Sequence, residues 1–213
     1  MDTLRVTEIF LSIQGESRTV GWPTVFVRLT GCPLRCVYCD TAYAFSGGES
    51  LGMAEIFARV ASFRTRHVCV TGGEPLAQPG CLALLHGLVE AGYAVSLETS
   101  GALDVAAIDP RVVKVMDLKT PASGEAGRNR YANIEHLLPH DQVKFVIMNH
   151  DDYLWAVEKL QEYRLNERCE VLFSPAMADQ DPRELAEKIL ADRLPVRFQL
   201  QLHKILWGDL PGR

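Results

Sequence analysis

Short β-branched runs alternate with segments of helical period through most of this 213-residue chain, and that rhythm restricts the fold more than any other feature. TVFVRL at residues 24–29 reads as a strand, as does VTEIFLSI just before it. Residues 53–64 read as a helix, 67–71 as a strand, 81–90 as a helix, and 94–98 and 112–118 as strands. A strand at 144–148 follows, then a helix from Asp152 that sets Leu154, Val157 and Leu160 on one face, the strand VLFS, a further helix, and the strand VRFQLQL. The later helix has a legible start in Asp181 as N-cap, Pro182 at the first position and Glu184 as the capping-box acid. Six or so strand–helix units, without repeats, low-complexity runs or a linker, predict one domain over residues 1–213, an α/β fold with a parallel sheet wrapped by helices. The chain is shorter than the roughly 250 residues typical of a closed eight-stranded barrel, so an open, partial TIM-like barrel is expected. Ligands are then expected at the carboxyl ends of the strands, where GCPLRCVYCDT, TGGEP, ETSG, DLKTP and MNHDD fall.

Composition narrows the partners. Hydrophobic residues make up 47% and charged residues 23%, which suits a globular chain with one substantial core. The first ten residues have neither the basic segment nor the apolar run of a signal peptide, and no window approaches a membrane span of about 20 apolar residues, so a cytoplasmic protein is expected. The net charge of -5 argues against a broad nucleic-acid-binding face and favours a small-molecule partner. In a reducing compartment, clustered cysteines are metal ligands or redox groups rather than disulfides.

Cys32, Cys36 and Cys39 have C-x3-C-x2-C spacing in a loop with a glycine and a proline. A complete iron–sulfur cluster or a closed zinc site usually takes four protein ligands. Cys69, Cys81 and Cys169 lie apart, in or beside apolar segments, and read as buried structural thiols. Three ligands leave one iron of a cubane open to something other than protein. The competing reading is a three-cysteine zinc site completed by a distant histidine such as His67.

With Tyr38 directly before the last cysteine and Gly72-Gly73-Glu74 after the next strand, this pattern resembles the radical S-adenosylmethionine superfamily. That resemblance implies a [4Fe-4S] cluster whose open iron chelates S-adenosylmethionine, and a cofactor that carries the hard chemistry. Within the superfamily the chain resembles the 7-carboxy-7-deazaguanine synthase family. SIQGE precedes the cluster loop, and VRLTGCPLRCVYCDT, TGGEP, ETSG, DLKTP, KFVI, FSP and QLHK follow in family order over nearly the whole chain. The resemblance implies a carbon–nitrogen lyase that rearranges 6-carboxy-5,6,7,8-tetrahydropterin with loss of ammonia in 7-deazapurine biosynthesis. It also implies Mg²⁺ dependence, a flavodoxin-type reductant, a homodimer, and no direct contact with nucleic acid or membrane.

Residue roles follow from that resemblance and from chemistry. Glu16 and the side-chain carbonyl of Gln14 suit the donor edge of a pterin, with Ser12 and Ile13 beside them. Arg28 suits the substrate carboxylate, although an ion-paired strand arginine is the plainer reading. Thr41 resembles the family threonine that binds Mg²⁺; otherwise it is a loop cap. Thr99 is expected in the pocket floor through its hydroxyl, and Gly101 through its backbone. Tyr38, Gly72, Gly73, Glu74, Gly101, Ser174 and the backbone of Met148, Asn149 and His150 are expected to meet the cofactor. Lys119 and His203 are further candidates, the second on the substrate side. Ser17 replaces a glycine common in the family's Q-G-E-G segment, and Met148-Asn149-His150 stands where relatives often carry more polar or basic residues. Two other readings share the cysteine motif: an activase of a glycyl-radical enzyme, which has no use for Glu16 or Arg28, and a non-catalytic metal-binding module.

Overall fold

The computed structural model describes residues 3–176, 179–208, 210 and 212. The remaining positions of the expected 1–213 domain lie outside the described residues. Among the described residues there are nine strands in one sheet: β1 (Thr3–Ile13), β2 (Pro23–Leu29), β3 (Glu49–Gly52), β4 (His67–Gly72), β5 (Ala94–Thr99), β6 (Val113–Asp117), β7 (Gln142–Ile147), β8 (Glu170–Pro175) and β9 (Arg197–Phe198). Their order is β3-β1-β2-β4-β5-β6-β7-β8-β9. From β2 to β9 the neighbours run parallel, whereas β1 pairs antiparallel with both β2 and β3. The sheet is therefore mixed, which corrects the all-parallel expectation, and β3 escaped the sequence reading because ESLG has no β-branched or aromatic residue.

Strands buried on both faces usually read as continuous apolar runs. Here each central strand alternates instead. Val25, Val27, Leu29, Val68, Val70, Val95 and Leu97 pack on the helices α1 (Met53–Ser62) and α2 (Cys81–Glu90). Met116, Val143, Phe145, Ile147, Val171 and Phe173 pack on α3 (His150–Glu162), α4 (Leu165–Arg168) and α5 (Pro182–Ala191). The intervening residues Arg28, Thr71, Glu98, Asp117 and Lys144 point to the opposite face and line a cavity. A polar row in five strands is the wall of a ligand site.

The sheet curls without closing. The segment after β1 places Glu16 2.6 Å from Lys144 of β7 and the Arg18 amide 3.1 Å from Gln142. Five strand spacings separate β1 from β7, about 24 Å in a flat sheet, so only a partial barrel brings these groups together. A short helix, α6 (Leu202–Trp207), closes over that segment through the Leu202 amide on the Gly15 carbonyl, at 2.9 Å.

The expected helices start where the sequence predicts apart from α3, and four details differ from expectation, one of them in the last strand. Asp181 caps α5 by accepting from the Arg183 amide at 2.8 Å, with Pro182 first in the helix, but Glu184 faces the Gln180 amide at 3.5 Å instead of completing the box. VRFQLQL forms only the two-residue β9, and the chain then turns into α6. The crossovers from β5 to β6 and from β6 to β7 contain no α-helix among the described residues, so there are fewer full strand–helix units than expected. In α3, which begins at His150 after the Asn149 cap, two residues before the expected start, the buried face runs through Tyr153, Ala156 and Leu160, while Leu154, one position round the helix, is 52% exposed. Leu160→Ala should accordingly cost about 2–5 kcal/mol in urea unfolding, and Leu154→Ala no more than about 0.5 kcal/mol.

Candidate active site

The cysteine loop leaves the end of β2 and is held from outside itself. The Gly31 amide donates to Ala44, the Gly31 carbonyl accepts from Glu74, and the Val37 amide reaches the Ser123 carbonyl, at 2.8, 2.8 and 3.0 Å. Glu125 accepts from the Arg35 amide at 2.6 Å, and the Arg35 guanidinium donates to the Cys32 carbonyl and lies over Phe45. All three thiols are free and border one cavity of about 420 Å³, within the roughly 300–1,000 Å³ of small-molecule sites. Burial pushes the Cys32 and Cys36 thiols above their usual range. Cys69, Cys81 and Cys169 are buried elsewhere, as expected.

The zinc reading fails on geometry. His67 begins β4 opposite Thr24, whereas the cysteine loop follows Leu29 at the other end of the same ladder, about 16 Å away. Among the described residues, no three His, Cys, Asp or Glu side chains converge as ligands of a single ion. Three thiols bordering one cavity without a fourth protein ligand among the described residues suit a cluster with an open iron.

Of the residues expected at the site, Ile13, Gln14, Glu16, Arg28, Tyr38, Thr41, Gly72, Gly73, Thr99 and His203 line the cavity with the three cysteines, and Lys119 joins them. Gly72 has φ +152°, and a Cβ there would sit 2.1 Å from the Leu29 carbonyl oxygen; one at Gly73 would sit 2.3 Å from that of Gly31. Both glycines are thus required by the close packing of β4 against the base of the cysteine loop, and they leave bare backbone on the cavity wall. Gly15 serves the other side, since a Cβ would meet His203 Nδ1 at 2.2 Å. Ser17, at the place where the family resemblance implies a glycine, holds φ +70°, a left-handed turn despite the side chain.

Other expected residues have different roles. The Glu74 carboxylate is wholly buried and accepts from the Leu76 and Ser100 amides and the Thr99 and Ser100 hydroxyls, fastening TGGEP to ETSG. It does not border the cavity, and the Thr99 hydroxyl points to it instead of to the pocket floor. Gly101, at φ +72°, packs on Met116 and its carbonyl accepts from Asn133. Met148, Asn149 and His150 also lie off the cavity: the Met148 amide donates to Asp152, Asn149 caps α3, and His150 stacks on Tyr153. Ser12 and Ser174 are buried outside the lining, and neither hydroxyl has a partner among the described residues.

The electrostatic centre joins Glu16 and Lys119 to three residues that were not assigned from the sequence, Lys144, Asp117 and Gln201. Lys144 donates to Glu16 at 2.6 Å and lies 3.9 Å from Asp117, which pairs with Lys119 at 2.8 Å. Gln201 donates to the other Glu16 oxygen at 2.8 Å. Burial alone raises the Glu16 pKa, yet Lys144 and Gln201 bring it below the ordinary carboxylate value. Burial disfavours the Lys144 ammonium, but Glu16, Asp117 and Glu98 more than offset this and raise its pKa. The signal available in sequence was a single charged residue on the alternate face of a strand whose other face is apolar, as with Lys144 in VKFVI and Glu98 in VSLET. Gln14 turns its carbonyl to the Glu16 amide at 3.2 Å and its amide to Glu98 at 3.4 Å, shaping the loop while one carbonyl lone pair stays available. Thr41 donates to Asp40, whose other oxygen pairs with Lys204 at 3.1 Å.

The buried Tyr38 hydroxyl and one Asp117 oxygen lack partners among the described residues; with three free thiols and the bare Gly72–Gly73 backbone, this donor set fits a cluster with an amino-acid-bearing cofactor. Because Glu16 titrates below its ordinary value, the stability it contributes is complete above the unfolded carboxylate pKa and is lost as pH falls through the lower folded one. Lys144→Met leaves burial to raise that pKa. The variant should be about 3–5 kcal/mol less stable near neutral pH and should recover part of this on acidification, the reverse of the wild-type slope, in urea titrations from about pH 4 to 7.

The family model of the Radical SAM superfamily matches residues 26–189. A 7-carboxy-7-deazaguanine synthase of Chlorobaculum tepidum is 45% identical over 96% of this chain and 94% of its own length; one from Koribacter versatilis is 43% identical over 96% and 97%. In architecture the chain is similar to the crystal structure of QueE from Escherichia coli, with a TM-score of 0.72 and 22% identity over 94% and 95% of the two chains. The cysteine loop, the open barrel and this full-length likeness together make the chain a member of the 7-carboxy-7-deazaguanine synthase family within the radical SAM superfamily.

Proposed function

We propose that this chain converts 6-carboxy-5,6,7,8-tetrahydropterin to 7-carboxy-7-deazaguanine with loss of ammonia, with Cys32, Cys36 and Cys39 holding a [4Fe-4S] cluster. The observation that carries the reading is that these thiols share one cavity with Glu16, Gln14 and Arg28. An activase has no need of such an acceptor and donor set, and a metal-binding module has no need of the cavity. Cys32, Cys36 and Cys39 would hold the cluster, and the cluster with S-adenosylmethionine would supply the radical chemistry that removes a hydrogen atom from the substrate.

The chain's own residues bind, orient and exclude water. Glu16, kept ionised by Lys144, accepts from the pterin's guanidine-like edge, and Gln14 adds its remaining lone pair. Arg28 offers its terminal nitrogens to the substrate carboxylate, which fixes the adjacent hydrogen-bearing carbon within the cavity. The Gly72–Gly73 backbone and Tyr38 border the cofactor side. Thr41 and Asp40 present oxygens of the kind Mg²⁺ prefers. His203, packed on Gly15, closes the substrate side. The unbroken nine-stranded sheet supports one radical SAM domain. A flavodoxin-type reductant and a second copy of the chain complete the proposal; Ile205 and Leu206 on α6, each about half exposed, offer apolar area for the latter. No described helix is long and apolar enough to cross a membrane.

Anaerobic reconstitution followed by an assay with substrate deuterated beside its carboxylate tests the reaction: label should reach 5′-deoxyadenosine or recovered S-adenosylmethionine alongside deazaguanine product. Cofactor cleavage only with a glycyl-radical partner protein would favour the activase. Cys36→Ala should lose the cluster's visible absorption and all turnover, whereas Cys169→Ala should keep both. Turnover should also rise with added Mg²⁺, and Thr41→Ala should shift that titration to higher Mg²⁺; superimposable curves for the two proteins would return Thr41 to a capping role.

A further inference from the structure

The pairing of β1 with β2 slips by one residue beside the cavity. Val6 lies opposite Leu29, but Glu8, not Thr7, lies opposite Arg28. An unbroken ladder would set Thr7 against Arg28 and turn Glu8 to the other face, because side chains alternate along a strand. The bulge absorbs Thr7, whose hydroxyl bonds that of Thr30 at 2.8 Å, and brings Glu8 onto the face that Arg28 occupies.

Three contacts then hold the guanidinium from behind. One Glu8 oxygen lies 2.7 Å from Arg28 Nε and 2.7 Å from the Tyr43 hydroxyl, so a single carboxylate joins both groups. The guanidinium carbon is 5.8 Å from the ring centres of Phe10 and Tyr43. Arg28 borders the cavity, whereas Glu8 and Tyr43 do not, and the Arg28 terminal nitrogens have no hydrogen-bond partner among the described residues. Holding an arginine by its Nε leaves the two terminal nitrogens as a fork with a fixed plane.

We infer that Glu8, aimed by the bulge and steadied by Tyr43, is a positioning residue that orients the Arg28 fork toward the substrate carboxylate. This rests on the reading of Arg28 given above. Orientation and charge act in opposite senses here, since the negative charge of Glu8 opposes a second carboxylate while its hydrogen bond aligns the arginine. The two are therefore separable by substitution.

The test is calorimetric binding to the cluster-loaded protein with S-adenosylmethionine, using 6-carboxytetrahydropterin and a carboxyl-free tetrahydropterin. Glu8→Ala should weaken the carboxypterin by about ten-fold and leave the carboxyl-free pterin unchanged. Glu8→Gln, whose carboxamide oxygen still accepts from Nε but carries no charge, should bind the carboxypterin at least as tightly as wild type. Tyr43→Phe should cause a smaller loss of the same sign. In an Arg28→Gln background, Glu8→Ala should have no further effect on the ratio of the two affinities. The inference is overturned if Glu8→Ala tightens binding as Glu8→Gln does, if it weakens both pterins equally, or if its effect persists without Arg28. If Arg28→Gln itself leaves the ratio unchanged, the carboxylate-binding role of Arg28 falls first, and the role of Glu8 with it.

Discussion

The ion pair between Glu16 and Lys144 is the contact on which the site depends. It joins the segment after β1 to β7, two parts of the sheet that a flat arrangement would hold far apart, and it does so with both groups largely removed from water. A buried pair of this kind has a desolvation cost that its Coulomb energy does not automatically exceed. Here each Glu16 oxygen has one protein donor, Lys144 on one and Gln201 on the other, with a lone pair left on each, and Asp117 flanks the ammonium. The result is a carboxylate held ionised inside the barrel, where an acceptor for a substrate edge is of use.

From that pair the arrangement of the cavity follows. Drawing the loop inward places Gln14 against Glu98 and Gly15 beneath His203, so the C-terminal segment closes one side. The cysteine loop forms the other side and is anchored independently, through Glu125, Ser123 and the Gly72–Gly73 backbone. Two anchoring systems meet where Lys204 of α6 pairs with Asp40 beside the last cysteine. The two sides of the cavity are thereby held in register by side chains from distant parts of the chain.

Much of the fold was legible because helical and strand periods are local properties. The boundaries of α2 and β4, the proline start of α5 and the identity of the cysteine loop all follow from residues adjacent in sequence. The errors have a common origin. β1 was recognisable as a strand, but its direction relative to β2 depends on which edge it joins. Leu154 has the spacing of a buried residue, but the face of α3 that packs on the sheet runs through Tyr153 and Ala156, and Leu154 is left exposed. The last apolar run alternates like a strand, yet it lies at the sheet edge, where only two residues find a pairing partner.

Within the site, the sequence by itself determined that Cys32, Cys36 and Cys39 stand together, because three cysteines in eight residues must share a loop whatever surrounds them. It also identified Gln14, Glu16 and Arg28 as candidates, through their place in a recognisable ordered series of motifs. Only the tertiary structure decided what those side chains face. Glu74 and Thr99 turned to each other and the Met148 amide turned to Asp152, while Lys144 and Asp117, inconspicuous in apolar strands, became the charged centre. The physical reason is that hydrogen bonds and ion pairs between residues as far apart as Glu16 and Gln201 exist only after the sheet has curled, and curling is a property of the whole chain.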